Sequence, residues 1–356
     1  MSNLGNGKVL ITGAAGWLGL NLVDVLVNGI SGHPKLGQGF KDLAIRCLLL
    51  PGQDERELLA VFPQAEIVRG DVRSPASCAE FCVDAEGAVL FHIAGIIHPR
   101  RVREFYDINV AGTANLLAAA GAARLSRAVV MSSNSPCGCN PHRDHLFDEG
   151  SPYNPYMNYG RSKMLMEQEV RRVQESGALE TVIIRAPWFY GPHQPPRQRL
   201  FFEMIRDGKG PIVGDGHNLR SMAFCENLAQ GLILAALTKE ANGEVYWIAD
   251  ERPYSMHEIM DTIERLLETE FGQKCAHKRM TLPGIASEVA WVVDKVLQGL
   301  GLYHQKFHVL SEMNKTIACT VTRARKELGY QPMVALEEGM RRSLRDIYGE
   351  QETKAE

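Results

Sequence analysis

A doubly wound parallel α/β sheet, followed by a smaller and mostly helical C-terminal lobe, is the architecture this sequence predicts. Three observations point to it. Short apolar runs alternate with helix-periodic stretches through the first half of the chain. A glycine-rich turn joins the first run to the first helix. From Pro187 onward the texture changes to prolines, turns and helices, and 356 residues suit two such units.

Residues 7–27, GKVLITGAAGWLGLNLVDVLV, hold a β-branched run, a glycine turn and apolar positions at helical spacing. Residues 31–43, with three glycines and a proline, lengthen the next connection as a loop. Buried strands follow at Ala44–Leu50, Glu66–Arg69, Gly87–Ile93, Arg127–Met131 and Thr181–Arg185, and helical periodicity is clear at Asn109–Ala123 and Tyr159–Gln174. Prolines at 187, 192, 195 and 196 and the turn Gly208–Gly216 open the second lobe. Inside it, the strand-like run Glu244–Ile248 is placed to return to the sheet. The expected division is 1–186 for the first domain, 187–350 for the discontinuous second lobe, and 351–356 as a frayed tail.

Composition narrows the function classes. With 45% hydrophobic and 23% charged residues the chain builds a core and is not disordered. Its 39 basic against 42 acidic residues provide no overall surplus to attract nucleic acid or anionic lipid. No apolar run reaches the length of a membrane span and the N-terminus lacks the zones of a secretory signal, so a cytoplasmic location is expected. The eight cysteines are scattered without framework spacing and read as reduced thiols without disulfides.

Gly13, Gly16 and Gly19 give the turn a G-x-x-G-x-x-G spacing. A pyrophosphate can rest there on backbone N–H groups, those of Trp17 and Leu18 included, at the positive end of the helix dipole. Asp71, followed by Val72, ends the third strand, where a carboxylate can accept from an adenine amino group or simply form a turn. The fourth strand ends His92-Ile93-Ala94-Gly95; His92 reads as a packed residue, and Ala94 and Gly95 let a backbone approach a ribose or nicotinamide. The second strand ends Leu49-Leu50-Pro51-Gly52, without the carboxylate or arginine that separates NAD from NADP. Asp54 stands near enough in sequence for a ribose and Arg56 for a phosphate, and the reading leans slightly to NAD.

Tyr159 and Lys163 stand one turn apart on one helix face. An ammonium beside a phenol favours phenolate, so a lowered Tyr159 pKa is expected, suited to acid–base work near neutrality. The fifth strand runs into Ser132-Ser133-Asn134-Ser135, where a hydroxyl can hold a substrate oxygen at the ligand edge of the sheet.

Together these motifs resemble the extended short-chain dehydrogenase/reductase superfamily, in particular its NAD-dependent epimerase/dehydratase and 3β-hydroxysteroid dehydrogenase-like members, over nearly the whole chain. The resemblance implies a Rossmann fold and an NAD(P) site formed by Gly13, Gly16, Trp17, Leu18, Gly19, Asp71, Val72, Ala94, Gly95, Lys163 and Pro187. It implies that Ser133 orients the reacting oxygen, Tyr159 moves the proton, and Lys163 tunes Tyr159 and grips the ribose. Asn109, in DINVAGTANLL, either supports a proton-relay water or starts a helix. A homodimer built from the helices at 109–123 and 159–174 is also implied.

The subfamily is approached through differences. Sugar-nucleotide 4,6-dehydratases carry Asp-Glu after the active-site threonine, and Asn134-Ser135 here removes that acid and base. The stretch from Thr281-Leu282-Pro283 through the Trp291 helix to Gln331-Pro332 is similar to 3β-hydroxysteroid dehydrogenase-like enzymes. Gly214-Asp215-Gly216 with Arg220 and Asn227 is similar to the segment where epimerases hold a diphosphate, and Arg220 equally suits a loop anchor. Trp188, Phe189 and Tyr190 form either a pocket wall or the packing that seats the second lobe. Ser135, Tyr190 and Arg220 join Ser133 as the substrate-contact expectations. Cys137, Cys139, His142 and His145 are spaced too tightly for the usual zinc patterns, and no metal is expected. The resulting expectation is an NAD(P)-dependent oxidoreductase acting on a secondary alcohol or ketone of steroid-like or acyl-ketone type. The alternatives are a nucleotide-sugar 4-epimerase and a non-catalytic dinucleotide sensor.

Overall fold

The computed structural model describes residues 4–352. Strands β1 (Lys8–Thr12), β2 (Ala44–Leu49), β3 (Glu66–Arg69), β4 (Val89–His92), β5 (Arg127–Ser133) and β6 (Glu180–Ala186) alternate with helices α1 (Trp17–Asn28), α2 (Arg56–Val61), α3 (Pro75–Phe81), α4 (Thr113–Ala122) and α5 (Met157–Glu175). Beyond them lie β7 (Trp188–Tyr190), α6 (Pro196–Arg206), β8 (Pro211–Val213), β9 (Leu219–Arg220), β10 (Met222–Phe224), α7 (Cys225–Leu237) and β11 (Val245–Trp247). The chain continues through β12 (Tyr254–Ser255), α8 (Met256–Thr269), β13 (Met280–Leu282), α9 (Ile285–Gly299), α10 (Gln305–Glu312), α11 (Thr322–Leu328) and α12 (Leu336–Glu352).

Seven strands form one parallel sheet in the order β11-β6-β5-β4-β1-β2-β3. The order reverses at β1, which pairs with β2 on one side and β4 on the other, and this opens a crevice at the strand C-termini. The run expected to return to the sheet does so, with Val245 opposite Ile183. Nearly every residue of β1, β2, β4, β5 and β6 is buried, as expected for strands covered on both faces. One core packs α1 and α7 on one face and a second packs α3, α4 and α5 on the other. A third joins Phe202, Ile259, Met260 and Met340 from α6, α8 and α12.

The helix expected over 109–123 starts earlier and differently. Phe105–Gly112 is a π-helical stretch that passes into α4. Such wide turns are rare and are frequent at functional sites, and Asn109 sits within this one. The expected tail at 351–356 begins as helix, since α12 runs to Glu352, and residues 353–356 lie outside the described residues. All eight cysteines are unpaired. Among the described residues no helix is long and apolar enough to cross a membrane.

Candidate active site

At the crevice, α1 begins on Gly16, and no side chain caps its first turn, so its N–H groups are available to an anion. The turn is packed backbone on backbone. A Cβ on Gly19 would stand 2.1 Å from the Gly13 carbonyl oxygen, and one on Gly13, whose φ is +78°, would stand 2.9 Å from the Ala94 nitrogen. The C-terminal end of β4 thus lies directly against the turn, and Ala94 N–H donates to Thr12 Oγ1 at 3.3 Å. A side-chain-free cradle at a helix N-terminus fits a dinucleotide pyrophosphate. Leu18 packs into the core, and the Trp17 indole donates to the Gly191 carbonyl at 3.1 Å, so these two residues offer backbone N–H groups to a phosphate.

Beside this cradle, Asn109 bonds Ile96 twice, accepting from its N–H at 2.9 Å and donating to its carbonyl at 3.1 Å, and donates to Ser162 Oγ at 3.1 Å. A Cβ on Gly95 would lie 3.2 Å from Asn109 Oδ1 and 3.5 Å from Lys163 Nζ. The side chain therefore does more than start a helix: it fixes the loop after β4 against α5.

Helix α5 meets the end of β5 through Gly160, where a Cβ would stand 2.4 Å from the Ser135 carbonyl oxygen. That approach sets Tyr159 beside Ser133. The turn into α5 carries strain at Met157, with φ +52°, and is held from both sides. Tyr156 N–H donates to the Ser135 carbonyl at 3.1 Å, and Asn158 N–H to Gln298 Oε1 at 3.1 Å. The Ser133 and Ser135 hydroxyls lie 3.3 Å apart, both buried.

The electrostatics correct one expectation. Burial pushes the Tyr159 phenol up to about 12; the neighbouring Ser133 hydroxyl offsets part of this and the charge of Glu312 adds to it. The anticipated lowering by Lys163 does not offset the burial; the ammonium donates to the Met131 carbonyl at 2.9 Å and to Met166 sulfur at 3.4 Å. Burial also lowers Lys163 to about 8, against the charge of Glu167. His92 is the packed residue expected, held between Thr12 and Thr113 hydroxyls at 2.7 and 2.8 Å, and burial takes it down to about 3.

Two supporting clusters were not singled out from the sequence. Glu167 and Arg185 form a buried pair at 2.7 Å, and Glu167 also accepts from Ser132 Oγ at 2.6 Å and Tyr153 OH at 2.8 Å. Glu167 follows Tyr159 and Lys163 at the same four-residue step, and Arg185 interrupts an apolar strand; both were readable cues to a buried charge. The second cluster lies on the α9–α10 hairpin. Asp294 pairs with His308 at 2.8 Å, Tyr156 donates to Ser311 Oγ at 2.8 Å, and Tyr303 hydrogen-bonds His98 at 2.8 Å. Aromatic rings connect this hairpin to the site: Phe105 is 5.6 Å from Tyr159 and 5.5 Å from Tyr303.

Tyr190 is a correction. It is wholly buried, donates to Asp250 Oδ2 at 2.7 Å and packs edge-on to Phe224, so it seats the second lobe and does not face substrate. Asn227 is likewise engaged, with Asp250 and both backbone groups of Val334. Arg220 is buried; Nη2 donates to the Glu312 carbonyl and Nε has no partner. Asp71 closes a turn on Arg73, accepting from its N–H at 2.9 Å and its guanidinium at 2.6 Å, while Val72 packs on Gly112. Asp54 and Arg56 pair with each other at 2.6 Å on the surface. Pro187 is buried between β6 and β7. In the loop after β5, Asn140 holds His145 at 3.0 Å, and burial raises Cys137 and Cys139 to about 11 and about 12.

Residues 9–249 match the NAD dependent epimerase/dehydratase family. The chain is 52% identical to the uncharacterized protein y4nL of Sinorhizobium fredii, over 94% of each. It is 28% identical to a 3 beta-hydroxysteroid dehydrogenase/Delta 5-->4-isomerase of Mycobacterium tuberculosis, covering 94% of this chain and 88% of that one. Among solved structures, the UDP-glucuronic acid 4-epimerase of Bacillus cereus in complex with NAD superposes with a TM-score of 0.72 at 21% identity, over 97% of this chain and 99% of that one.

Proposed function

Because this chain belongs to the NAD-dependent epimerase/dehydratase family, we propose that it is an NAD-dependent oxidoreductase interconverting a secondary alcohol and a ketone on a largely apolar, steroid-like or acyl-ketone substrate. The observation that carries the substrate class is the aromatic packing beside Tyr159, where Phe105 stands 5.6 Å from the Tyr159 ring and 5.5 Å from Tyr303. Residues 1–186 serve as the cofactor domain and 187–350 as the substrate lobe. A homodimer through the π-helical stretch, α4 and α5 belongs to the same proposal.

Bound NAD supplies a hydride acceptor, and in its reduced form a donor, at the crevice. The turn at Gly13, Gly16 and Gly19 and the first N–H groups of α1 hold the pyrophosphate. Asn109 keeps the loop at Gly95 out of the way of the ribose. Ser133 donates a hydrogen bond to the reacting oxygen, and Tyr159 delivers or removes its proton. A phenol held near pKa 12 is protonated at neutrality, so it is ready as an acid for ketone reduction. Lys163 provides positive charge behind it.

The second reading, a nucleotide-sugar 4-epimerase, is favoured by Arg220, a buried guanidinium that forms no ion pair among the described residues and whose Nε is without a partner there. The two are separated by a panel assay. Net NADH formation with apolar secondary alcohols, lost by orders of magnitude in Tyr159→Phe while NADH binding is kept, is the expected result. Interconversion of nucleotide sugars without net NADH, by a protein purified with NAD attached, would establish the epimerase. Near-normal turnover of Tyr159→Phe would remove Tyr159 from either mechanism.

A further inference from the structure

Helix α9 is built the wrong way round for a helix bordering water. Its inward side buries Ser287, Asp294 and Gln298, with Ala290 as the one apolar residue among them. Its outward side carries Ile285, Val289, Val292, Val296 and Leu300, each 53–72% exposed. Spacings of four, three, four and four draw these five residues into one stripe. Leu302 and Val309 extend it into the loop and α10.

The inward polar residues have work to do, since Asp294 bonds His308 and Gln298 holds the start of α5. The outward apolar residues have none within the described chain, and so wide a stripe marks a contact surface. Its rim is basic. Arg100 and Arg101 are exposed and tied to the end of the stripe by the Arg101–Leu302 bridge and the bond from Val102 N–H to the Gly301 carbonyl at 3.1 Å. Lys295 and Lys306 are exposed along its length, and among the described residues none of these four cations forms an ion pair.

We propose that α9 and its basic rim rest on an anionic lipid surface, with the helix lying in the interface plane and the Val289, Val292 and Val296 side chains below the headgroups. A second copy of the chain fits less well: antiparallel α9 helices packed about Val292 and Val296 would bring Lys295 against its own counterpart. A formal charge of −3 also gives the whole molecule no general attraction to anions, so binding must come from this patch. The same hairpin caps Tyr159, and docking therefore sets the candidate site beside the lipid. The proposal does not depend on the substrate reading, because it is tested without substrate.

The test is sedimentation of the full protein with vesicles of phosphatidylcholine alone or mixed with phosphatidylglycerol, with light scattering to follow oligomeric state. Binding to the mixed vesicles, weakened by salt and weakened at least about tenfold in Val292→Glu/Val296→Glu, is expected. Arg100→Glu/Arg101→Glu should weaken binding to the mixed vesicles specifically. Both double variants change exposed side chains, and unchanged NADH affinity shows that they are folded. Failure of the wild type to bind the mixed vesicles overturns the proposal, as does equal binding to both compositions. Self-association relieved by Val292→Glu/Val296→Glu, without vesicle binding, also overturns it and assigns the stripe to a second copy.

Discussion

Gly19→Ala pits a local gain against a tertiary collision, and the structure says which is larger. Within a helix, alanine gains about 1 kcal/mol over glycine. Here the new Cβ would meet the Gly13 carbonyl oxygen at 2.1 Å and the Ala14 carbonyl group at 2.5–2.6 Å, where ordinary contact begins at 3.4 Å. All three atoms are backbone, so no rotamer relieves the overlap and the turn must retreat by more than about 1 Å; overpacking of this kind costs roughly 1–3 kcal/mol or more. The net effect is destabilising by up to about 2 kcal/mol, which for a chain of this length lowers Tm by about 1–3 °C. The larger effect is on NADH, because the retreating backbone is the proposed phosphate cradle. Losing one or two charge-assisted hydrogen bonds, each about 1.5–3 kcal/mol, weakens Kd at least about tenfold. Gly16→Ala is the control for stability: its Cβ meets only the Gly13 oxygen, at 3.2 Å, and Tm should barely move. Thermal denaturation and NADH fluorescence titration measure both quantities. A Gly19→Ala protein with wild-type Tm and wild-type NADH affinity would refute the reading of this turn.

The remaining predictions concern charge. With Tyr159 near 12, the fraction available as base rises about tenfold per pH unit, so alcohol oxidation should climb from pH 6 and flatten as Lys163 loses its proton near 8; a flat pH–rate profile would contradict this assignment. Burial pulls His308 down, but its hydrogen bond to Asp294 and the charges of Glu312 and Asp294 raise it overall. A raised imidazole stabilises the fold fully below its unfolded pKa of about 6.5, and that stability fades as pH rises through the higher folded value. Asp294→Asn should therefore destabilise most at acidic pH and flatten the dependence of Tm on pH. Glu167→Gln leaves the Arg185 guanidinium buried and uncompensated, costing about 3–5 kcal/mol, while Glu167→Leu/Arg185→Met should recover much of the loss; denaturant melts read both. Asn109→Ala strips two backbone bonds from Ile96, costing about 2–4 kcal/mol, and should raise the KM for NAD more than Tyr159→Phe does.

Which of these features could be read from the sequence follows from how far apart the interacting residues stand. The sheet, the glycine turn and the Tyr159–Lys163 step are set by neighbours within a few positions, where periodicity and turn chemistry act directly. Even the return of β11 was legible, because a short apolar run among helices has few places to pair. Tyr159 was misjudged in its acidity for the opposite reason: a phenol pKa depends on what buries it, and Phe105 and Glu312 arrive from distant segments. Tyr190 shows the same limit, since its partner Asp250 stands sixty residues on. In α9 the periodicity itself was readable, but its direction was not. An apolar stripe on a helix ordinarily faces inward, and only the positions of His308 and Asn158 show that this helix turns its polar side to the protein and leaves its valines outside. The proposed chemistry and the surface are thereby linked: the Asp294–His308 pair that closes the hairpin and the Gln298–Asn158 bonds that seat it on α5 are the same contacts that oblige α9 to expose its apolar face.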